Sequence, residues 1–163
     1  MKTILLMRHA KSSWKETHLA DHDRPLNGRG RSAAPIMGEH LSRIDLVPDV
    51  IVCSTAARAR QTVEYLLETL PFEGEVVYTR DLYHSGTESF LEEIAKLDQR
   101  YQCAMLVGHN PGMEMAVEDL TGEWIRMPTA TVARIDFEVD LWEEITEDSS
   151  GKLGDVWIPR DFS

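Results

Sequence analysis

The sequence is poor in cysteine, with only Cys53 and Cys103 among its 163 residues. The two cysteines are far apart and form no CxxC motif, and each lies within an apolar run typical of a buried strand. We therefore expect two buried free thiols, which is compatible with a cytoplasmic location.

Long hydrophobic runs are also missing. No stretch approaches the roughly 20 consecutive apolar residues of a transmembrane helix, and Met1-Lys2-Thr3 leads directly into a predicted strand. The sequence has no internal repeats, low-complexity tracts or linker segments. We therefore expect no membrane span and no signal peptide, and one domain covering residues 1–163.

Positive charge is scarce, with 17 Lys and Arg against 28 Asp and Glu and a formal net charge of −11. This balance argues against nucleic acid as a partner, because nucleic-acid binding needs a basic surface. The few cations are concentrated in the first part of the chain. They include Arg8, Lys11, Arg24, Arg29, Arg31, Arg58 and Arg60. This concentration indicates a local anion site.

Short apolar segments alternate with amphipathic helical segments, as in βαβ units. The predicted strands are 3–8, 50–53, 75–78, 103–107, 131–137 and a possible sixth at 155–158. The predicted helices are 28–43, a segment after the second strand that ends before Pro71, 87–97 and 110–120. We predict an α/β three-layer sandwich, with a mostly parallel central sheet of five to six strands flanked by helices. The polar segment 11–27 is predicted as a long functional loop, and Pro35 predicts a kink or a break in the first helix.

Three strand–helix junctions carry side chains suited to an anion. The first predicted strand ends in Arg8-His9-Ala10, the second runs into a segment containing Arg58, and the fourth ends in Gly108-His109. In an open α/β sheet such junctions meet at one edge, where the helix N-termini also favour negative charge. Arginine matches phosphate oxygens, and neutral imidazole is a nucleophile near pH 7. The pattern predicts a phosphoryl group attacked by a histidine.

The motifs resemble those of the histidine phosphatase superfamily, and in particular its SixA-like phosphohistidine phosphatase branch. Arg8-His9-Ala10 is similar to the nucleophile motif, Ser54 to Thr62 to the Ser-x-x-x-Arg-x-x-Gln-Thr motif, and Val107-Gly108-His109 to the second-histidine motif. Asp23 to Gly30 and Lys11 to Trp14 are similar to segments of the SixA-like branch. The motifs span residues 8 to 112 in the family's order.

The resemblance implies a phosphoglycerate mutase-like fold and a metal-independent phosphatase without a cofactor. His9 is then the nucleophile that forms a phosphohistidine intermediate, and Arg8 and Arg58 bind the phosphoryl oxygens. His109 completes the electrostatic pocket. The further residues predicted to bind substrate are Ser12, Arg24 and His84.

Several assignments keep alternatives. Arg24 either forms a structural ion pair with an aspartate or reaches the substrate. His84 stands where many superfamily members carry an acidic glutamate, and it is either the general acid or a rim histidine. His18 and His22 have metal-like spacing, but their loop lacks matching ligands elsewhere, so no metal site is predicted.

The favoured substrate is a protein phosphohistidine, because a phosphoramidate needs a general acid less than a phosphoester does. The short chain also leaves little room for a lid, so a phosphorylated protein of the histidine phosphotransfer type fits an open pocket. A phosphatase of small phosphate esters and a weakly active phosphate- or phosphoprotein-binding module are the alternatives.

Overall fold

The computed structural model describes residues 1–162, so residue 163 of the predicted single domain lies outside the described part. In chain order the strands and helices are β1 (Lys2–Arg8), α1 (Gly28–Arg43), β2 (Val50–Ser54), α2 (Ala57–Leu66), β3 (Glu75–Thr79), α3 (Thr87–Ala95), β4 (Cys103–Gly108), α4 (Gly112–Thr121), β5 (Val132–Phe137) and β6 (Lys152–Trp157). All predicted strands form, including the sixth.

The six strands form one sheet in the order β3-β2-β4-β1-β5-β6. Strands β1 to β4 are mutually parallel, whereas β5 pairs antiparallel with both β1 and β6. The sheet is therefore mixed but mostly parallel. Its central strands are apolar on both faces, because helices cover both sides of a sheet built from βαβ units.

The core consists of two layers of apolar side chains, one on each face of the sheet. Leu5 and Met7 of β1 pack with residues of α1 and α2. Their neighbours Ile4 and Leu6 point to the opposite face and pack with residues of α3 and α4. This alternation along one strand is the period of two expected of β structure. The arrangement confirms the predicted three-layer α/β sandwich.

Helix α1 is continuous from Gly28 to Arg43, so of the two outcomes predicted at Pro35, a kink or a break, the break is wrong. Proline removes one backbone donor from a helix, but the buried side of α1 offsets this loss by packing against the core. Ala34 and Met37, on either side of Pro35, are fully buried. In addition, the hydroxyl of Thr69 donates a 2.7 Å hydrogen bond to the carbonyl of Pro35.

Both cysteines are free thiols, as predicted, although Cys53 is buried and Cys103 only partly so. Burial raises the pKa of the Cys103 thiol to about 12. Neither thiol is therefore ionised at neutral pH. Among residues 1–162 no helix is long and apolar enough to cross a membrane.

Candidate functional site

A cavity of about 470 Å³ lies at the carboxyl ends of β1, β2 and β4. All the residues predicted to form the site line this cavity. Arg8 is paired with Gly108 across the parallel strands β1 and β4, so His9 and His109, which follow them, lie at the same edge of the sheet. The predicted residues are Arg8, His9, Ser12, Arg24, Arg58, His84 and His109. Lys11, Trp14, Asn110 and Arg126 also line the cavity.

His9 and His109 face each other, with their ring centroids 5.0 Å apart. Nδ1 of His9 lies 2.6 Å from the carbonyl oxygen of Ala10. Because a carbonyl only accepts hydrogen bonds, the proton of the neutral ring is assigned to Nδ1. Nε2 of His9 therefore carries the free lone pair, as a nucleophilic nitrogen must.

The second histidine takes the same tautomer for a different reason. The hydroxyl oxygen of Ser54 accepts a hydrogen bond from the backbone N–H of Ala56, and it lies 2.8 Å from Nε2 of His109. Because the hydroxyl proton of Ser54 has no other acceptor among the described residues, we assign it to the bond with Nε2, which leaves the ring proton of His109 on Nδ1. Within residues 1–162 that Nδ1 is buried and has no hydrogen-bond partner.

Burial keeps both rings neutral. Desolvation, opposed in part by the Ala10 carbonyl and reinforced by nearby arginines, lowers the pKa of His9 to about 4. Desolvation, with the charges of His9 and Arg58, lowers the pKa of His109 to about 3. At neutral pH the site thus holds two uncharged imidazoles among guanidinium groups.

The free energy of unfolding is therefore expected to fall in acid. Because both pKa values drop from 6.5 to about 4 and about 3 on folding, the unfolded chain binds more protons at mildly acidic pH. The stability that the neutral rings contribute is complete above about pH 7. It is lost as the pH falls from the unfolded pKa of 6.5 to the folded pKa of about 4 for His9 and about 3 for His109, on the order of 3 kcal/mol per histidine. In urea denaturation, the double variant His9→Asn/His109→Asn should gain stability relative to the wild type as the pH is lowered from 7 to 4.5.

The exposed His18→Asn change is the control, and its difference from the wild type should be small at both values of the pH. A stability difference between the double variant and the wild type that does not change with pH would contradict the assignment of two neutral buried rings.

Arg58, in the first turn of α2, is 4% exposed. Its Nη1 donates to the backbone carbonyl of Asp21 at 2.7 Å, and its Nη2 donates to the Asp21 carboxylate at 3.0 Å. Nη1 of Arg8 donates to the carbonyl of Met127 at 3.0 Å. In the described part of the chain, Nε of each arginine is buried without a hydrogen-bond partner. Both side chains are thus held in place, and each keeps an unpaired donor.

Thr62 connects the His9 loop to α2. Its buried hydroxyl accepts a hydrogen bond from the backbone N–H of Ala10 at 2.9 Å and donates one to the carbonyl of Arg58 at 2.6 Å. Ala10 in turn supplies the carbonyl that fixes the ring of His9. The Thr62 hydroxyl therefore connects the backbone next to His9 with the backbone of Arg58.

Replacing Thr62 with valine is expected to lower the free energy of unfolding by about 1 to 3 kcal/mol, because the buried N–H of Ala10 loses its acceptor. Thr121→Val is the matched control. It also removes a hydroxyl bonded to the carbonyl four residues earlier, at 2.6 Å, but in a partly exposed place. Urea denaturation of both variants measures the difference, and an equal cost would contradict the linking role of Thr62.

Asp21 is the site residue that the sequence reasoning did not find. Its carboxylate binds Arg58, accepts from Nε and Nη2 of Arg24 at 3.2 and 3.1 Å, and accepts from the Tyr83 hydroxyl at 2.7 Å. Despite partial desolvation, the Tyr83 and arginine hydrogen bonds hold the pKa of Asp21 well below its usual range. Asp21 is therefore a permanent carboxylate that orients two arginines. Its place three residues before Arg24 was the available signal.

Arg24 forms one of the two arrangements predicted for it, the ion pair with an aspartate, and its contact with substrate stays a prediction. It forms an ion pair with Asp21 and also lines the cavity, where its Nη1 donates to the hydroxyl of Ser12 at 2.9 Å. Its guanidinium stacks on the exposed ring of Trp14, 3.6 Å from the ring centroid. Ser12 is thus held by Arg24 at the edge of the cavity.

His84 lies on the rim, with its side chain 61% exposed and Nε2 3.2 Å from the Asp21 carboxylate. Its φ of 51° is in the left-handed region, a conformation that costs a non-glycine residue energy and is enriched at functional sites. The loop that contains His84 packs closely against the start of α4, because a Cβ on Gly112 would lie 2.0 Å from the carbonyl oxygen of Ser85. The rim position predicted for His84 is thus observed, and its role as general acid stays a prediction.

His18 and His22, whose spacing resembles that of metal ligands, are not part of a metal-binding group in the described residues. There, no three His, Cys, Asp or Glu side chains are grouped to hold a metal ion. Nε2 of His22 lies 2.8 Å from the hydroxyl of Thr55 instead.

Comparisons with known proteins identify the family of this chain. The model of the histidine phosphatase superfamily (branch 1) matches residues 4–85. An uncharacterized protein of Mycobacterium leprae is 34% identical over 167 residues, covering 94% of this chain and 100% of that protein. A solved structure of a candidate phosphohistidine phosphatase SixA from Nakamurella multipartitia superimposes with a TM-score of 0.85 at 29% identity, covering 97% of this chain and 96% of that chain.

A second such structure, from Agrobacterium tumefaciens, superimposes with a TM-score of 0.80 at 31% identity and covers 97% of this chain and 99% of that chain. The similarity thus extends over the whole fold as well as the motifs. The chain belongs to the histidine phosphatase superfamily, in its SixA-like branch.

Proposed function

We propose that this protein is a metal-independent phosphatase, folded as a single domain, that hydrolyses protein phosphohistidine through a histidine nucleophile. One observation carries the proposal: the guanidinium groups of Arg8 and Arg58 and the ring of His109 line the same cavity as His9, whose Nε2 has a free lone pair. Two guanidinium groups on one cavity favour an anion with several acceptor oxygens. A phosphoryl group supplies these oxygens next to Nε2 of His9.

In the proposed reaction, Nε2 of His9 attacks phosphorus while the bond from phosphorus to the leaving group breaks. Arg8 and Arg58 donate to the equatorial oxygens and offset the negative charge of the transition state. The ring of His109 lies beside a third oxygen and completes the pocket. Water then attacks the phosphohistidine, releasing phosphate and restoring His9 with its lone pair.

The lack of a protonated carboxyl at the cavity supports a nitrogen leaving group. None of the residues lining the cavity is an aspartate or a glutamate. The nearby Asp21 stays ionised, because hydrogen bonds lower its pKa. A departing alkoxide needs a proton from a positioned acid, whereas the imidazole of a phosphohistidine leaves readily once its own ring is protonated.

The second candidate is a phosphatase of small phosphate esters. The observation that favours it is the position of His84, which lines the cavity at its rim with Nε2 3.2 Å from the Asp21 carboxylate. A histidine at this place is suited to act as the general acid that donates a proton to an ester oxygen.

The proposal includes a cytoplasmic location and a phosphorylated protein, rather than nucleic acid, as partner. The two free thiols suit a reducing compartment. The net charge of −11 disfavours nucleic acid.

Phosphate release from a histidine-phosphorylated phosphotransfer domain and from p-nitrophenyl phosphate, both with EDTA present, tests this proposal. Turnover of the phosphorylated domain at a rate far above that of the ester is the expected result. Comparable turnover of the ester would favour the second candidate. Phosphate binding without turnover of either substrate would make the protein a binding module.

A further inference from the structure

Two further cavities continue from the active-site cavity along the outer side of α4. The first, of about 300 Å³, shares His84, His109 and Asn110 with the active-site cavity. The second, of about 310 Å³, shares Pro111 and Met115 with the first. The second is lined by Pro111, Glu114, Met115, Glu118, Asp119 and Trp124, which we call the α4 groove. The groove is thus a direct continuation of the catalytic cavity.

Two large apolar side chains of the α4 groove face solvent. Met115 is 51% exposed and Trp124 is 61% exposed. Helix α4 already has a complete buried face, made of Met113, Ala116, Val117 and Leu120, so the fold does not need Met115 for its core. Methionine and tryptophan are enriched in protein interfaces, methionine because it adapts its shape and tryptophan because it contributes much binding energy.

The charge of the α4 groove is opposite to that of the active site. Glu114, Glu118 and Asp119 line it, and none of its six residues is basic. The catalytic cavity next to it contains Arg8 and Arg58. A ligand that covers both regions must therefore carry a phosphoryl group at one end and positive charge at the other.

We propose that the α4 groove binds the protein segment that carries the phosphorylated histidine. This inference rests on the proposed function and identifies the chemistry of its partner. An apolar side chain of the segment contacts Met115 and Trp124, and a lysine or arginine faces Glu118 and Asp119. A second copy of this chain does not fit as the occupant, because it carries a net charge of −11 itself.

The length of the groove sets the spacing in the partner. Met115 and Asp119 of the groove are separated by four helical steps, or about 6 Å at 1.5 Å per residue. In a helical partner that lies along α4, the apolar residue and the basic residue are then about four positions apart. A small phosphate ester does not reach these contacts.

The double variant Met115→Ala/Trp124→Ala tests the inference with two substrates. For a histidine-phosphorylated phosphotransfer domain, kcat/KM is expected to fall at least about 10-fold, mainly through KM, because a few large interface side chains carry most of the binding energy. For free phosphohistidine, kcat/KM should stay within about 2-fold of the wild type. Glu118→Lys should likewise weaken turnover of the phosphorylated domain alone.

Ile44→Ala is the control, because Ile44 is similarly exposed, at 43%, but follows α1 on the opposite face of the sheet. An unchanged kcat/KM for the phosphorylated domain, or an equal loss for both substrates, would overturn the docking role while leaving the proposed function intact. If the wild type hydrolyses free phosphohistidine but not the phosphorylated domain, the proposed protein substrate fails, and the docking role fails with it.

Discussion

Replacement of His9 with asparagine is expected to lower phosphate release at least about 10⁴-fold, because the proposed mechanism then loses its nucleophile and keeps only binding and electrostatic stabilisation. Asparagine keeps an N–H donor that can reach the Ala10 carbonyl, which lies 2.6 Å from Nδ1 of His9, but it offers no lone pair to phosphorus. The arginines that bind the anion stay in place. Phosphate affinity measured by titration calorimetry should therefore change less than about 10-fold.

His18→Asn is the matched control, because His18 is exposed and does not line the cavity. It should retain wild-type turnover. A His9→Asn enzyme that keeps more than about one-hundredth of wild-type activity would show that another group attacks phosphorus.

The conservative change Arg58→Lys is expected to lower kcat/KM about 10² to 10³-fold, the cost of removing one preorganised donor from a developing charge. Lysine keeps the positive charge but loses the planar fork. In the structure this fork binds the backbone and the carboxylate of Asp21 and leaves Nε unpaired. A lysine cannot satisfy Asp21 and a phosphoryl oxygen in the same geometry. Steady-state kinetics with a phosphorylated domain measures the effect.

Arg60→Lys is the control for this change, since Arg60 lies two residues further along α2 and is exposed. It should cost less than about 2-fold in kcat/KM, as surface charges away from a site contribute little. An equal effect of the two substitutions would contradict a specific role of the Arg58 fork in the reaction.

Much of the fold follows from the sequence. The helix predicted for residues 28–43 has those boundaries in the structure, because Asn27 caps it and its apolar stripe is regular. The Asn27 side chain accepts a 2.9 Å hydrogen bond from the Gly30 N–H. Pro35 misled the prediction because local propensity gave way to packing of α1 against the core, which the sequence of one helix does not reveal.

The site residues that lie at the ends of strands could be predicted from the sequence. Arg8, His9 and His109 follow apolar runs, and the rule that parallel strands end at one edge brings them together. Asp21 and Tyr83 come from two loops, and their 2.7 Å hydrogen bond joins positions 62 residues apart. Loops lack periodicity, so their contacts depend on tertiary packing that no local pattern encodes. The α4 groove escaped prediction for a related reason, because Trp124 lies in a connection without regular structure.

The most direct test of the central claim is to trap the phosphorylated enzyme. Wild-type protein is mixed with a ³²P-labelled phosphohistidine domain and quenched in alkali within milliseconds, and the labelled peptide is identified by mass spectrometry. The mechanism predicts an acid-labile phosphate on Nε2 of His9, which is absent in His9→Asn. Label on His109 or another residue, or rapid turnover without any labelled enzyme in wild type, would contradict it.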